Sequence, residues 1–116
     1  MSATNLTLAI EQGTTYRRLI TWKAIDGSLH DLTGYHARLE IRSWTWLTVL
    51  LDLNDSAGLT LGGALGTIAV AMTATQTAGL GAGSARYDLI VTAPNGDVTR
   101  LLEGAVNIDP AVTVSS

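Results

Sequence analysis

The chain has 116 residues, 47% hydrophobic and 15% charged, with a formal net charge of −3 and no cysteine. That make-up fits one folded domain over residues 1–116 and excludes the polar, charge-rich composition of disordered chains. It also excludes disulfides, thiolate nucleophiles and Cys-based zinc sites, while six arginines and the single Lys23, scattered along the chain, offer no basic patch for a nucleic-acid backbone.

From the N-terminus, Leu6, Leu8 and Ile10 alternate with polar or small residues, the period-two signature of a strand with one buried face. Gly13-Thr14 breaks the run. A second strand follows in which Tyr16, Ile20 and Trp22 share one parity, interrupted by Arg18, before the turn-forming Asp26-Gly27-Ser28. The cleanest alternation runs from Tyr35: Tyr35, Ala37, Leu39 and Ile41 face one way, and His36, Arg38, Glu40 and Arg42 the other. Leu47, Val49, Leu51 and Leu53 extend the pattern, with all four expected inward, up to the turn cluster Asn54 to Gly58.

Leu59 and Leu61 form a short extended piece, joined by a hairpin around Gly62 to Gly66 to a strand carrying Ile68, Val70 and Met72. The glycines at 79, 81 and 83 limit the stretch from Thr73 to one helical turn. Tyr87, Leu89 and Val91 alternate, Pro94-Asn95-Gly96-Asp97 signals a hairpin, and Val98, Leu102, Val106 and Ile108 resume on the inward side. Seven to eight short strands without an amphipathic helix predict an all-β, antiparallel β-sandwich or small barrel. Apolar runs such as Trp46 to Leu51 fall far short of the ~20 residues of a membrane-spanning helix. Met1 to Asn5 lacks the basic start and apolar stretch of a secretory signal, so synthesis in the cytoplasm is expected.

Groups that carry chemistry are sparse. His30-Asp31 with His36 is the most enzyme-like set, but the signal is weak: neighbours on a strand point to opposite faces, and a structural or surface role at solvated loop positions is the expectation. Gly81-Ala82-Gly83-Ser84 lacks the strand-to-helix elbow of a serine nucleophile, and Gly62 to Gly66 is followed by no phosphate-binding lysine. Asp52 and Asp55 would ligate calcium only if further oxygens converged. The expectation is therefore no catalytic residue, no metal and no cofactor. Candidate partner contacts are Trp44 and Trp46, two indoles of one parity, and the charged face of Arg38, Glu40 and Arg42.

The runs Ile10 to Arg18, with E-Q-G-T-T-Y-R-R, and Asp31 to Arg42, with D-L-T-G-Y-H-A-R-L-E-I-R, resemble small tailed-phage virion proteins and the N-terminal domains of phage baseplate upper proteins and fibres. The likeness continues through Gly66-Thr67-Ile68, Tyr87-Asp88-Leu89 and Arg100 to Gly104. Where that family carries G-x-Y-x-Y-D-L, Ala85 stands for the first tyrosine, which would act as a backbone-anchoring tyrosine corner.

The resemblance implies an immunoglobulin-like sandwich and a non-catalytic virion structural protein, made in the host cytoplasm. It implies attachment or connection of fibres at the tail or baseplate, with other phage structural proteins as partners. Homo-oligomers in a symmetric particle are expected, with no nucleic-acid or membrane partner. The end of the sequence at Ser116 suggests a separate subunit rather than the head of a fibre. The alternatives are a capsid decoration or cement protein, and a virion-exposed carbohydrate-binding module that stacks sugars on Trp44 and Trp46.

Overall fold

The computed structural model describes residues 4–23, 26–45 and 47–110. Alternating apolar positions build β1 (Thr4–Asn5), β2 (Leu8–Glu11), β3 (Tyr16–Thr21), β4 (His36–Ser43) and β5 (Val49–Asn54). Then come β6 (Leu59–Leu61), β7 (Thr67–Met72), the one-turn helix α1 (Ala74–Ala78), β8 (Gly83–Thr92) and β9 (Val98–Asp109). The larger sheet runs β9-β8-β4-β5, with β1 and β2 both lying along the free side of β9; the smaller runs β3-β7-β6.

The two sheets enclose one core. Leu39 and Ile41 of β4 lie opposite Leu89 and Tyr87 of β8, and all four are 0% exposed. Val91 continues this inner row, and Ile68, Val70 and Met72 of β7 supply the facing layer. Burying each such side chain stabilises the fold by about 1.5–3 kcal/mol, which is how a chain without a disulfide holds together. At one end, Thr73 and Gln76 form a reciprocal cap on α1. The buried Thr77 hydroxyl donates to the Thr14 carbonyl at 2.7 Å and accepts from the Gly13 amide at 3.1 Å, tying the helix to the β2–β3 turn.

Three features depart from the alternation read along the chain. First, the initial strand is interrupted at Leu6–Thr7 and pairs parallel to β9, not antiparallel. Parallel neighbours need a long connection, and here that connection is the rest of the domain. Second, a bulge between Ile41 and Arg42 places Val49 opposite Arg42 while Leu51 remains opposite Ile41. The extra residue, Leu50, reverses the inside-outside order of the segment before it. Val49, expected inward, is consequently 45% exposed, whereas Leu53 is buried; Leu47, also expected inward, lies in the turn before β5 and is 85% exposed. Third, Val98 is exposed at the mouth of the β8–β9 hairpin, and a register shift at Leu89/Ile90 intervenes before Leu102 reaches the core.

Candidate functional site

The outward face of the larger sheet is a lattice of matched charges. Arg38 on β4 grips Asp52 on β5 through two hydrogen bonds, Nε to Oδ1 at 3.1 Å and Nη2 to Oδ2 at 2.7 Å, and also reaches Glu40 at 3.1 Å. Glu40 binds Arg42 on its other side at 3.2 Å. Farther across, Arg100 pairs with Asp88 at 3.4 Å and Glu103 at 3.5 Å. The hydrogen bond and charge of Asp52 raise the Arg38 guanidinium further above its ordinary value. Burial, by contrast, pushes the Asp88 carboxyl up, opposed by Arg100. The expected charged face of Arg38, Glu40 and Arg42 therefore exists, and its charges are satisfied within the sheet.

The β4–β5 hairpin is different in character. Its turn is closed by the Ser43 amide donating to the Thr48 carbonyl at 2.8 Å, and it displays Trp44, Leu47, Val49 and Leu50 to solvent. β5 is the terminal strand of the larger sheet, so no described strand pairs with its outer backbone groups. Trp44 is half-exposed, and the Arg86 guanidinium carbon stands 4.2 Å from its ring centroid, a cation–π stack that orients the indole. Trp46, the second indole singled out from the sequence, lies outside the described residues. The sequence also gave no inward or outward assignment for Leu50 and expected Leu47 and Val49 inside; only the bulge and the turn before β5 reveal this surface.

Behind Trp44, the outer face of the sheet contains a cleft of about 330 Å³. Asn5 and Thr7 come from the interrupted edge strand, Glu103 to Ala105 from β9, Arg86 from β8, and Trp44 from the turn after β4. A second hollow, of about 350 Å³, lies on the smaller sheet around Arg17, Leu19, Ala69 and Ala71.

The histidine set proposed from the sequence is not brought together. His30 stacks on Trp22, with ring centroids 3.8 Å apart, and its Nε2 lies 3.1 Å from the Tyr35 hydroxyl. Tyr35 meets Trp22 edge-on and is half-buried, joining this cluster at the rim of the core. Asp31 instead accepts from the Thr33 amide and hydroxyl, at 2.9 and 2.6 Å, and these bonds hold its carboxyl below the usual aspartate range. His36 pairs with Asp55 at 2.8 Å on the exposed surface, and this hydrogen bond lowers the Asp55 carboxyl. Asp52 and Asp55 are thus engaged by different cations, and no cluster of three or more His, Asp or Glu suited to a metal occurs among the described residues.

No family model and no curated protein matches the sequence. Among solved structures, the chain is similar to CopC from Methylosinus trichosporium OB3b, at 12% identity and a TM-score of 0.50, covering 98% of this chain and 91% of that one. It is also similar to a structure from work on cell-adhesive interactions of voltage-gated sodium channel β subunits, at 12% identity, a TM-score of 0.45, and 94% and 93% coverage. The extracellular domain of the sodium channel β4 subunit gives 12% identity, a TM-score of 0.41 and 97% coverage of both chains. The fold of this chain is a two-sheet β-sandwich.

Proposed function

We propose that this domain is a non-catalytic protein-binding module of a tailed-phage virion, serving at the tail or baseplate to attach or connect fibres. The observation that carries the binding role is the β4–β5 hairpin: an open sheet edge whose flank exposes Leu47, Val49 and Leu50. An exposed edge is a template for pairing with another strand, and aliphatic side chains beside it add the apolar burial that stabilises such contacts. Trp44 adjoins this surface and contributes an aromatic anchor of the kind that dominates interfaces. The phage context is supported by the sequence likeness through Asp31 to Arg42 and Tyr87 to Leu89. Other virion proteins and further copies of this chain are the partners of that reading. Many copies in a symmetric particle let modest contacts act together.

The test is particle assembly with the pair Leu47→Ser and Leu50→Ser. Both side chains are exposed, so the β-rich circular dichroism spectrum should be unchanged while incorporation into virions falls by about tenfold or more, the effect of losing about 1.4 kcal/mol of binding. Normal incorporation of the folded variant would overturn the docking role of the hairpin. Microscopy of particles carrying a labelled domain decides the location, and label on the capsid would replace the tail reading with capsid decoration.

A further inference from the structure

The smaller sheet ends on β3, and no described strand lies beyond it. β3 pairs with β7 along its whole length, from Tyr16 opposite Met72 to Thr21 opposite Thr67, with no register shift. Just past its end, the Trp22 amide donates to the Gly66 carbonyl at 2.8 Å and the Trp22 carbonyl accepts from the His30 amide at 2.9 Å, so both backbone groups of Trp22 turn to the β7 side. Backbone direction alternates along an antiparallel strand, which aims the amides and carbonyls of Arg17, Leu19 and Thr21 at the open edge. The side chains of the same three residues lie on the outer face, beside Ala71, Ala69 and Thr67, while the alternate β7 residues Ile68, Val70 and Met72 are buried. Leu19 is 64% exposed there, and Ala69 and Ala71 floor the hollow of about 350 Å³ next to it.

Positive charge gathers on this edge. Of the seven Lys and Arg residues, Arg38, Arg42 and Arg100 pair with carboxylates on the larger sheet, and Arg86 stacks on Trp44. The other three, Arg17, Arg18 and Lys23, lie on β3 or its continuation, are exposed, and enter no ion pair among the described residues.

We propose that the open edge of β3 docks an acidic, extended segment of a partner protein, added to the smaller sheet as an outer antiparallel strand. The outward amides and carbonyls of Arg17, Leu19 and Thr21 are the groups that an added strand bonds. The hollow beside Leu19 receives one aliphatic side chain. Arg17 and Arg18, of opposite parity, each take a carboxylate, and Lys23 sets a further acidic position about 20 Å along, at about 3.3 Å per residue. A second copy of this chain is the wrong partner, because Tyr16 to Lys23 contains no acidic residue and two such edges would align cations against cations. A DNA backbone would engage the cations but offers no donor to the outward carbonyls. The surface lies on the sheet opposite the β4–β5 hairpin, and the inference does not depend on the virion reading.

The test titrates the isotope-labelled domain with the peptide acetyl-E-T-T-T-V-E-E-amide. Read antiparallel, its first glutamate faces Lys23, its valine Leu19, and its last two glutamates Arg18 and Arg17. The amides of Arg17, Leu19 and Thr21 should shift saturably with a Kd at or below about 1 mM, while those of β5 stay in place. The glutamine peptide acetyl-Q-T-T-T-V-Q-Q-amide should bind about tenfold or more weaker, and the double variant Arg17→Gln, Arg18→Gln should weaken the acidic peptide by a similar factor. Thr21→Pro removes an outward donor without touching the β7 ladder, so it should abolish binding with every cation in place. Should that variant fail to fold, the arginine pair supplies the decision. The proposal is overturned if no shift saturates, if the shifts lie off β3, if the glutamine peptide binds equally well, or if the folded arginine variant keeps its affinity. Shifts of the same amides with protein concentration alone would give the edge to a second copy, and tighter binding of oligothymidylate would give it to DNA; either result also overturns the proposal.

Discussion

The Tyr87 hydroxyl donates to the Leu6 carbonyl at 2.6 Å, and the residue facing Tyr87 across the β8–β9 ladder is Gly104. A Cβ at Gly104 would collide with that same carbonyl oxygen, so the missing side chain is what lets the edge strand approach and the hydrogen bond close. Tyr87 thus anchors the edge strand to the interior of β8, while Ala85 is buried in the core. One contact links the interior of β8 to the break in the edge strand, and through it to the shape of the cleft.

Tyr87→Phe should therefore cost about 1–2 kcal/mol in denaturant unfolding, because it removes the bond and leaves the Leu6 carbonyl without that donor. Gly104→Ala should cost at least as much by forcing the edge strand away. The two substitutions break one contact, so the double variant should lose clearly less than the sum of the single losses. Additive losses would separate Gly104 from the Tyr87 contact.

The same residue predicts alkaline behaviour. Burial pushes the Tyr87 phenol up to about 12 from an ordinary value of 10.0, with nearby Tyr16 adding to the rise. The folded state therefore holds this proton more tightly than the unfolded chain. Its contribution is fully present below about pH 10 and is lost as pH rises through about 12, amounting to about 2–3 kcal/mol over that window. Denaturant unfolding followed from pH 8 to about 12 should show this fall. The Tyr87→Phe protein should show a smaller one, and equal slopes for the two proteins would contradict the assignment.

In the core, Leu39→Ala should destabilise the domain by about 2–5 kcal/mol, since Leu39 is wholly buried between Leu53 and Leu89 on the neighbouring strands and the cavity cannot drain to solvent. Chemical denaturation reads this directly. A loss below about 1 kcal/mol would mean that the site collapses around the smaller side chain.

The sequence discloses those elements whose local pattern agrees with their surroundings. Tyr35 to Ile41 alternates without interruption, and Leu39 and Ile41 are buried as their parity requires. Leu47 to Leu53 misleads, because its odd positions read as one unbroken apolar row while Thr48, Leu50 and Asp52 take the other parity. The bulge opposite Ile41 and Arg42 decides the matter through pairing with β4, which no local pattern encodes. The cleft was equally illegible. Asn5 and Thr7 meet Arg86, Glu103 and Trp44 only because the first strand lies parallel to the last, and the polar residues around Trp44 come from three other segments. Arg86 carried a partial signal, since its parity opposes that of Tyr87 and Leu89 and so directs it outward.

The charged lattice leads to the last prediction. Glu40 stands between Arg38 and Arg42, 3.1 and 3.2 Å from their guanidinium nitrogens, and its side chain is only 19% exposed. Asp52 contacts Arg38 alone among the pairs described, at the more exposed end of the row. Glu40→Gln removes the negative charge that separates two arginines on one strand face, so like charges then confront each other across a neutral amide. Asp52→Asn leaves Glu40 in place to compensate Arg38. Thermal melts should therefore show a larger drop in Tm for Glu40→Gln than for Asp52→Asn, and adding Arg42→Gln should restore part of the first loss. Raising salt from about 0.01 M to about 1 M shortens the screening length from about 30 Å to about 3 Å, so the difference between the two single variants should shrink. Equal melting temperatures at low salt would show that the lattice contributes no more than solvated surface charges do.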